Sequence, residues 1–130
     1  MKKIVIFGAA GFIGQNVVEK LCKTGYNLVA TDIRPINIAT PDTVEFISAD
    51  ILDEQHVDGL VKDSDAIIHL ATSDLRTSLK NPKRNLKINV QGTINILEAA
   101  RKYNVKKVIY SSASSIYGVP GLHGSVPAPQ

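Results

Sequence analysis

The stretch Lys3-Ile4-Val5-Ile6-Phe7-Gly8-Ala9-Ala10-Gly11-Phe12-Ile13-Gly14 (KIVIFGAAGFIG) sets two periodicities end to end. From Lys3 to Phe7 a short, largely β-branched apolar run reads as a strand. After Gly8 the apolar residues Ile13, Val17, Val18, Leu21 and Cys22 recur at helical spacing until Gly25, a residue that stops helices. Strand, glycine-rich turn and helix therefore open the chain.

Outward from this unit the same alternation continues. Residues 27–31 (NLVAT) and 44–48 (VEFIS) read as strands, and 53–61 as a short helix with acidic residues in its first turn. Residues 66–70 (AIIHL) read as a fourth strand, about 84–103 as one long helix, and 107–110 as a fifth strand. Five short apolar runs, most of them separated by helices, imply parallel strands joined by right-handed crossovers, because a parallel neighbour needs a long connection. The class is α/β, a Rossmann-type doubly wound parallel sheet in truncated form. Its expected strand order is 3-2-1-4-5, with a ligand crevice where strands 1 and 4 diverge.

The long helix carries two apolar stripes. Leu86, Val90, Ile94, Leu97 and Ala100 form one, and Ile88, Ile96, Ala99 and Tyr103 form a second, offset from it. A helix lying on one side of a sheet needs only one stripe, so the second must pack under another part of the chain or form a self-complementary homodimer contact.

At 130 residues the chain fits one domain able to bury its own core. A hydrophobic share of 44% and a charged share of 21% are those of an ordinary soluble protein, and they name no function. The formal charge of +3 is scattered except for a cluster over residues 80–87, which is either a solvated surface or a site for an anionic ligand. It lacks the aromatic interleaving of a nucleic-acid platform, so no nucleic acid is expected. The single Cys22 cannot form an internal disulfide, suits a reducing compartment, and reads as a small buried hydrophobe. The first residues imitate a signal peptide, but glycines at 8, 11 and 14 interrupt the apolar run, which is far below the ~18 residues of a membrane span. No membrane partner and a cytoplasmic location are the expectations.

The spacing Gly8-x-x-Gly11-x-x-Gly14 suits a dinucleotide. Gly8 lets the chain turn off the strand, Gly11 removes a Cβ where backbone meets a diphosphate, and Gly14 lets the helix lie close on the sheet. Amides at the helix start, including those of Phe12 and Ile13, then face the phosphates. Asp32 follows at the end of strand two, 18 residues past Gly14, placed to accept from the hydroxyls of an adenosine ribose. Its charge opposes a 2′-phosphate and favours NAD over NADP, although Arg34, two residues on, could meet such a phosphate.

With these residues in place the chain resembles a known family, the extended short-chain dehydrogenase/reductases, and within it the NAD-dependent sugar-nucleotide epimerases and dehydratases. The resemblance runs from residue 1 to about 119 and includes SADILD at 48–53, AIIHLAT at 66–72, NVQGTINILEAA at 89–100 and VIYSSASSIYG at 108–118. It implies that NAD is the cofactor and a nucleotide sugar the substrate. It also implies that Ile33 and Arg34 flank Asp32 at the ribose, that Asp50 and Ile51 flank the adenine, that Leu70, Ala71 and Thr72 line the nicotinamide side, and that Asn89 lies near the cofactor. Homodimerisation through the helix at 84–103 is a further implication. Asp50 could instead cap a turn, and Asn89 could bond backbone within the helix. His69 reads as a satisfied core residue, and no metal site is expected.

In such enzymes a Tyr and a Lys spaced Y-x-x-x-K transfer a proton while NAD takes a hydride from the sugar. Tyr103 and Lys107 have that spacing but fall away from the carboxyl ends of the strands. The position the family fills with its catalytic Ser or Thr is Ala113 here, and in an extended segment Ser112 and Ser114 point to the opposite face. No catalytic residue is therefore assigned. Residues 1–118 are read as an NAD-binding domain and 119–130, without Lys, Arg, Asp or Glu, as a loop or tail. The functional expectation is the NAD-binding portion of a sugar-nucleotide epimerase or dehydratase, inactive as this chain alone. The alternative is a non-catalytic NAD-binding sensor or partner subunit.

Overall fold

The computed structural model describes residues 2–36 and 41–118. Its sheet has five parallel strands, β1 (Lys3–Phe7), β2 (Asn27–Asp32), β3 (Val44–Ser48), β4 (Ala66–His69) and β5 (Lys107–Tyr110), in the order β3-β2-β1-β4-β5. That is the expected Rossmann-type order. The tail at 119–130 lies outside the described residues.

The unbroken apolar run of β1 has a direct cause: both faces of the central strand are covered. Val5 and Phe7 point into a core shared with Val57 and Val61 of α2 (Glu54–Val61) and with Ile96 and Ala99 of α5 (Thr93–Lys102). Ile4 and Ile6 point the other way, into a core with Leu28, Ala30, Ile68 and Val18 of α1 (Phe12–Leu21). Val5 and Ile6 are fully buried, and each such side chain stabilises the fold by about 1.5–3 kcal/mol. Cys22 is half-buried at the edge of the second core, its Sγ–H directed at the Glu19 carbonyl.

The single helix expected at 84–103 is corrected. The helical run starts at Pro82 and has three parts: α4 (Pro82–Leu86), a wide π turn over Lys87–Gly92, and α5. A further short helix, α3 (Leu75–Lys80), precedes it. Local caps explain both starts: Asp74 accepts the Thr77 amide at 2.8 Å, and Asn81 accepts the Arg84 amide at 3.0 Å ahead of Pro82, whose ring suits a first helical position.

The two stripes are also assigned to faces. Ile96, Ala99 and Ala100 pack into the core, with Ile88 and Tyr103 against its edge. Leu86, Val90, Ile94 and Leu97 are between 45% and 61% exposed and form the unpartnered face. The stripe that must meet something else is therefore the first. Tyr103 donates its hydroxyl to Asp58 Oδ2 at 3.1 Å, beside the Lys102–Asp58 ion pair. Lys107 begins β5 at the opposite end from the crevice, so of this Y-x-x-x-K pair only Tyr103 contributes to the tie between α5 and α2.

Candidate functional site

A cavity of about 1150 Å³ opens over the carboxyl ends of the strands, where β1 and β4 diverge. On one side lies the glycine turn. The Gly8 and Ala9 amides both donate to the Thr31 carbonyl, at 2.9 and 3.1 Å, so the turn is tied to β2. Gly8 has φ +84°, and a Cβ there would lie 2.5 Å from the Ala71 nitrogen; a Cβ on Gly14 would lie 2.1 Å from the Gly8 carbonyl oxygen. Neither backbone contact can yield, so these positions accept only glycine. The first helical bond of α1 runs from the Gln15 amide to the Gly11 carbonyl at 3.0 Å, which leaves the Phe12 and Ile13 amides in the turn before it. Gly11, Phe12, Ile13 and Gly14 all border the cavity.

Asp32, whose side chain is 8% exposed, is held at the tip of β2 by the turn itself: its Oδ2 accepts the Ala10 amide at 3.1 Å. Its Oδ1 accepts the Arg34 amide at 3.0 Å and lies 3.6 Å from Arg34 Nε. Arg34 thus leans on the carboxylate it follows, and Ile33, largely exposed, stands beside them on the rim. Asp50 borders the cavity and accepts the Leu52 amide at 2.9 Å, which is its turn-capping role. Ile51 is buried against the cavity wall, and its carbonyl accepts Asn95 Nδ2 at 3.0 Å.

Leu70, Ala71 and Thr72 line the wall beyond β4. Asn89 does not border the cavity; it grips that wall from behind. Its Oδ1 accepts the Ser73 amide at 2.7 Å and the Thr72 hydroxyl at 3.0 Å, while its Nδ2 donates to the Ser73 carbonyl at 3.1 Å. Behind it, Thr93 donates its single hydroxyl proton to the Asn89 carbonyl at 2.7 Å, so the 2.9 Å contact with His69 must be donated by His69 Nε2–H. His69 Nδ1 is then an acceptor, buried and without a partner. Burial holds this imidazole neutral down to about 4, against an ordinary 6.5. His69 is a core residue as expected, but only half of its hydrogen bonding is met.

The shelf after β5 differs from the extended segment assumed above. The strand ends at Tyr110, and a 3₁₀ turn winds Ser114–Tyr117. Ser111 and Ser112 both border the cavity and Ala113 does not, because strand alternation stops before it reaches them. Lys83, Arg84 and Lys87, from the cluster read as either a solvated surface or an anion site, also stand on the wall, although the sequence reading did not place them at the cleft. Their spacing on one helical face was the available signal. Among the described residues no group of three or more His, Cys, Asp or Glu could hold a metal ion, and no helix is long and apolar enough to cross a membrane.

Residues 4–127 match the profile of the NAD dependent epimerase/dehydratase family. The chain belongs to that family. A putative UDP-glucose 4-epimerase of Methanocaldococcus jannaschii is 38% identical over 126 residues, covering 90% of this chain and 40% of that protein. An epimerase structure from Methanothermobacter thermautotrophicus superposes with a TM-score of 0.87 at 31% identity, over 98% of this chain and 39% of the other. The structure of MoeE5 in complex with UDP-glucuronic acid and NAD does so with a TM-score of 0.79 at 34% identity, over 89% and 38%. The chain thus spans about 40% of the length of these relatives.

Proposed function

We propose that these residues form the NAD-binding part of a sugar-nucleotide epimerase or dehydratase, and that the 130 residues alone hold the cofactor without turning over substrate. The observation that carries the reading is the pairing of the bare glycine turn with Asp32, whose carboxylate is fixed by the Ala10 amide of that same turn. Amides meet a diphosphate there while the carboxylate accepts from the ribose hydroxyls, each charge-assisted bond contributing on the order of 1.5–3 kcal/mol. When bound, NAD would accept and return the hydride that lets a sugar centre be inverted or eliminated. Around it, Ile51 bounds the adenine, Leu70–Thr72 bound the nicotinamide side, and Asn89 holds that wall in register. No Tyr-x-x-x-Lys pair stands at the carboxyl ends of the described strands, and losing a positioned general base typically costs about 10² to 10⁴ in rate. A cytoplasmic location belongs to the same reading.

A 2′-phosphate about 4 Å from Asp32 is opposed by roughly 4 kcal/mol at an effective dielectric near 20, nearly three decades in affinity, and Arg34 offsets part of this. Calorimetric titration should therefore show NAD bound more tightly than NADP. Asp32→Ala should weaken NAD by about tenfold or more. Arg34→Ala should widen the NAD preference by uncovering the carboxylate. No heat from either nucleotide at millimolar levels with folded protein would remove the reading.

A further inference from the structure

The cation cluster over 80–87 is not used by the site as built so far. Three of its members, Lys83, Arg84 and Lys87, line the cavity. Positions three and four residues apart share one helical face, and all three side chains are exposed. None of them is in an ion pair among the described residues. This arrangement is electrostatically unfavourable in two ways: like charges at this spacing repel, and they occupy the opening turns of a helical run whose own dipole is positive there. The neighbouring acid does not relieve them, because Asp74 directs its carboxylate to the Thr77 amide. Across the cleft the situation is the converse. Residues 8–14 contain no Lys or Arg, so the glycine turn offers a ligand directed amides and no full charge. The two walls of one cavity therefore supply complementary halves of a diphosphate site, fixed donors on one side and mobile cations on the other.

We infer that Lys83, Arg84 and Lys87 form an anion subsite that takes the diphosphate of a nucleoside diphosphate ligand facing the glycine turn. The inference rests on the nucleotide reading of the cleft and deepens it. Two ligands carry this chemistry, the dinucleotide itself and the nucleotide part of a nucleotide sugar, and ADP-ribose and UDP probe them separately.

The test is the triple variant Lys83→Gln, Arg84→Gln, Lys87→Gln, with adenosine and uridine as phosphate-free controls and an unfolding midpoint to verify the fold. Wild-type protein is titrated first with NAD and ADP-ribose; absence of binding there removes the nucleotide cleft itself, before the subsite is addressed. Given wild-type binding, the variant should weaken ADP-ribose, UDP or both by at least about tenfold and flatten the loss of affinity between about 50 and 200 mM salt. The nucleosides should be unaffected. Loss for ADP-ribose assigns the subsite to the cofactor's diphosphate, and loss for UDP alone assigns it to a second nucleotide. Unchanged affinity for both diphosphates, or an equal loss for adenosine, overturns the inference.

Discussion

His69 shows how one side chain can be core and wall support together. Its Nε2–H reaches Thr93, Thr93 reaches the Asn89 carbonyl, and Asn89 grips Ser73 on the cavity wall. The same residue makes stability pH-dependent, and the sign is fixed by protonation. Between 6.5 and about 4 the unfolded chain binds a proton on this imidazole and the folded chain does not, so stability falls as pH is lowered through that window. Over the whole window the loss amounts to about 3 kcal/mol, of which about 2 appears between pH 6.5 and 5. The Tyr110 ring packs on His69, 5.1 Å between centroids. Urea midpoints at about pH 7 and pH 5 should therefore separate for wild type and converge for His69→Gln, which keeps a donor at Nε2 but cannot take up a proton. Equal separation in both proteins would show that the proton goes elsewhere. From sequence His69 was visible as buried, but which ring nitrogen is paired was not, because that depends on Thr93, 24 positions away, facing Nε2 while Nδ1 meets no partner among the described residues.

At the scale of elements, the helical run over 82–102 is a strut set against the cleft. Its π turn presents Asn89 to Ser73, and one turn later Asn95, 6% exposed, donates to the Ile51 carbonyl and accepts from Gln91 Nε2 at 2.9 Å. Asn95 thereby fixes the wall assigned to adenine from a position 44 residues away. Asn95→Ala leaves a buried carbonyl unpaired, a cost of about 1–3 kcal/mol. Urea unfolding should show the midpoint lowered with an unchanged slope, and NAD affinity should drop with it. A variant as stable as wild type would mean water or another donor replaces the amide. The three central strands were legible because burial on both faces writes itself as continuous apolar runs, and the glycine turn because backbone contacts at Gly8 and Gly14 exclude any side chain. The π turn and α3 were not. Leu75–Lys80 buries no residue, so no apolar period marks it, and its start depends on one capping carboxylate. At the end of the widened turn the Thr93 hydroxyl meets the Asn89 carbonyl four residues back, a contact that many threonines make in ordinary helices and that therefore gives no signal in the sequence.

Among the described residues, two of the apolar surfaces left open differ in how readily they join a copy of the chain. The edge strand β5 exposes Ile109 at 48% and Tyr110 at 60%, yet it is four residues long and is preceded and opened by Lys106 and Lys107, charges that discourage edge-to-edge pairing. The face of Leu86, Val90, Ile94 and Leu97 carries no such guard along its stripe and extends from α4 across the π turn into α5. A two-fold axis beside this run would set each stripe on its own copy, the self-complementary arrangement that closed dimers use. A stable contact needs about 800 Å² per partner, so side chains flanking the stripe must take part as well. Sedimentation equilibrium at micromolar concentration should give a dimer for the wild-type chain. Ile94→Glu, which places like charges across the axis, should give a monomer with its unfolding midpoint nearly unchanged at this exposed position, and Lys107→Ala should remain dimeric. A wild-type monomer, or a dimer that survives Ile94→Glu, would move the contact off this face.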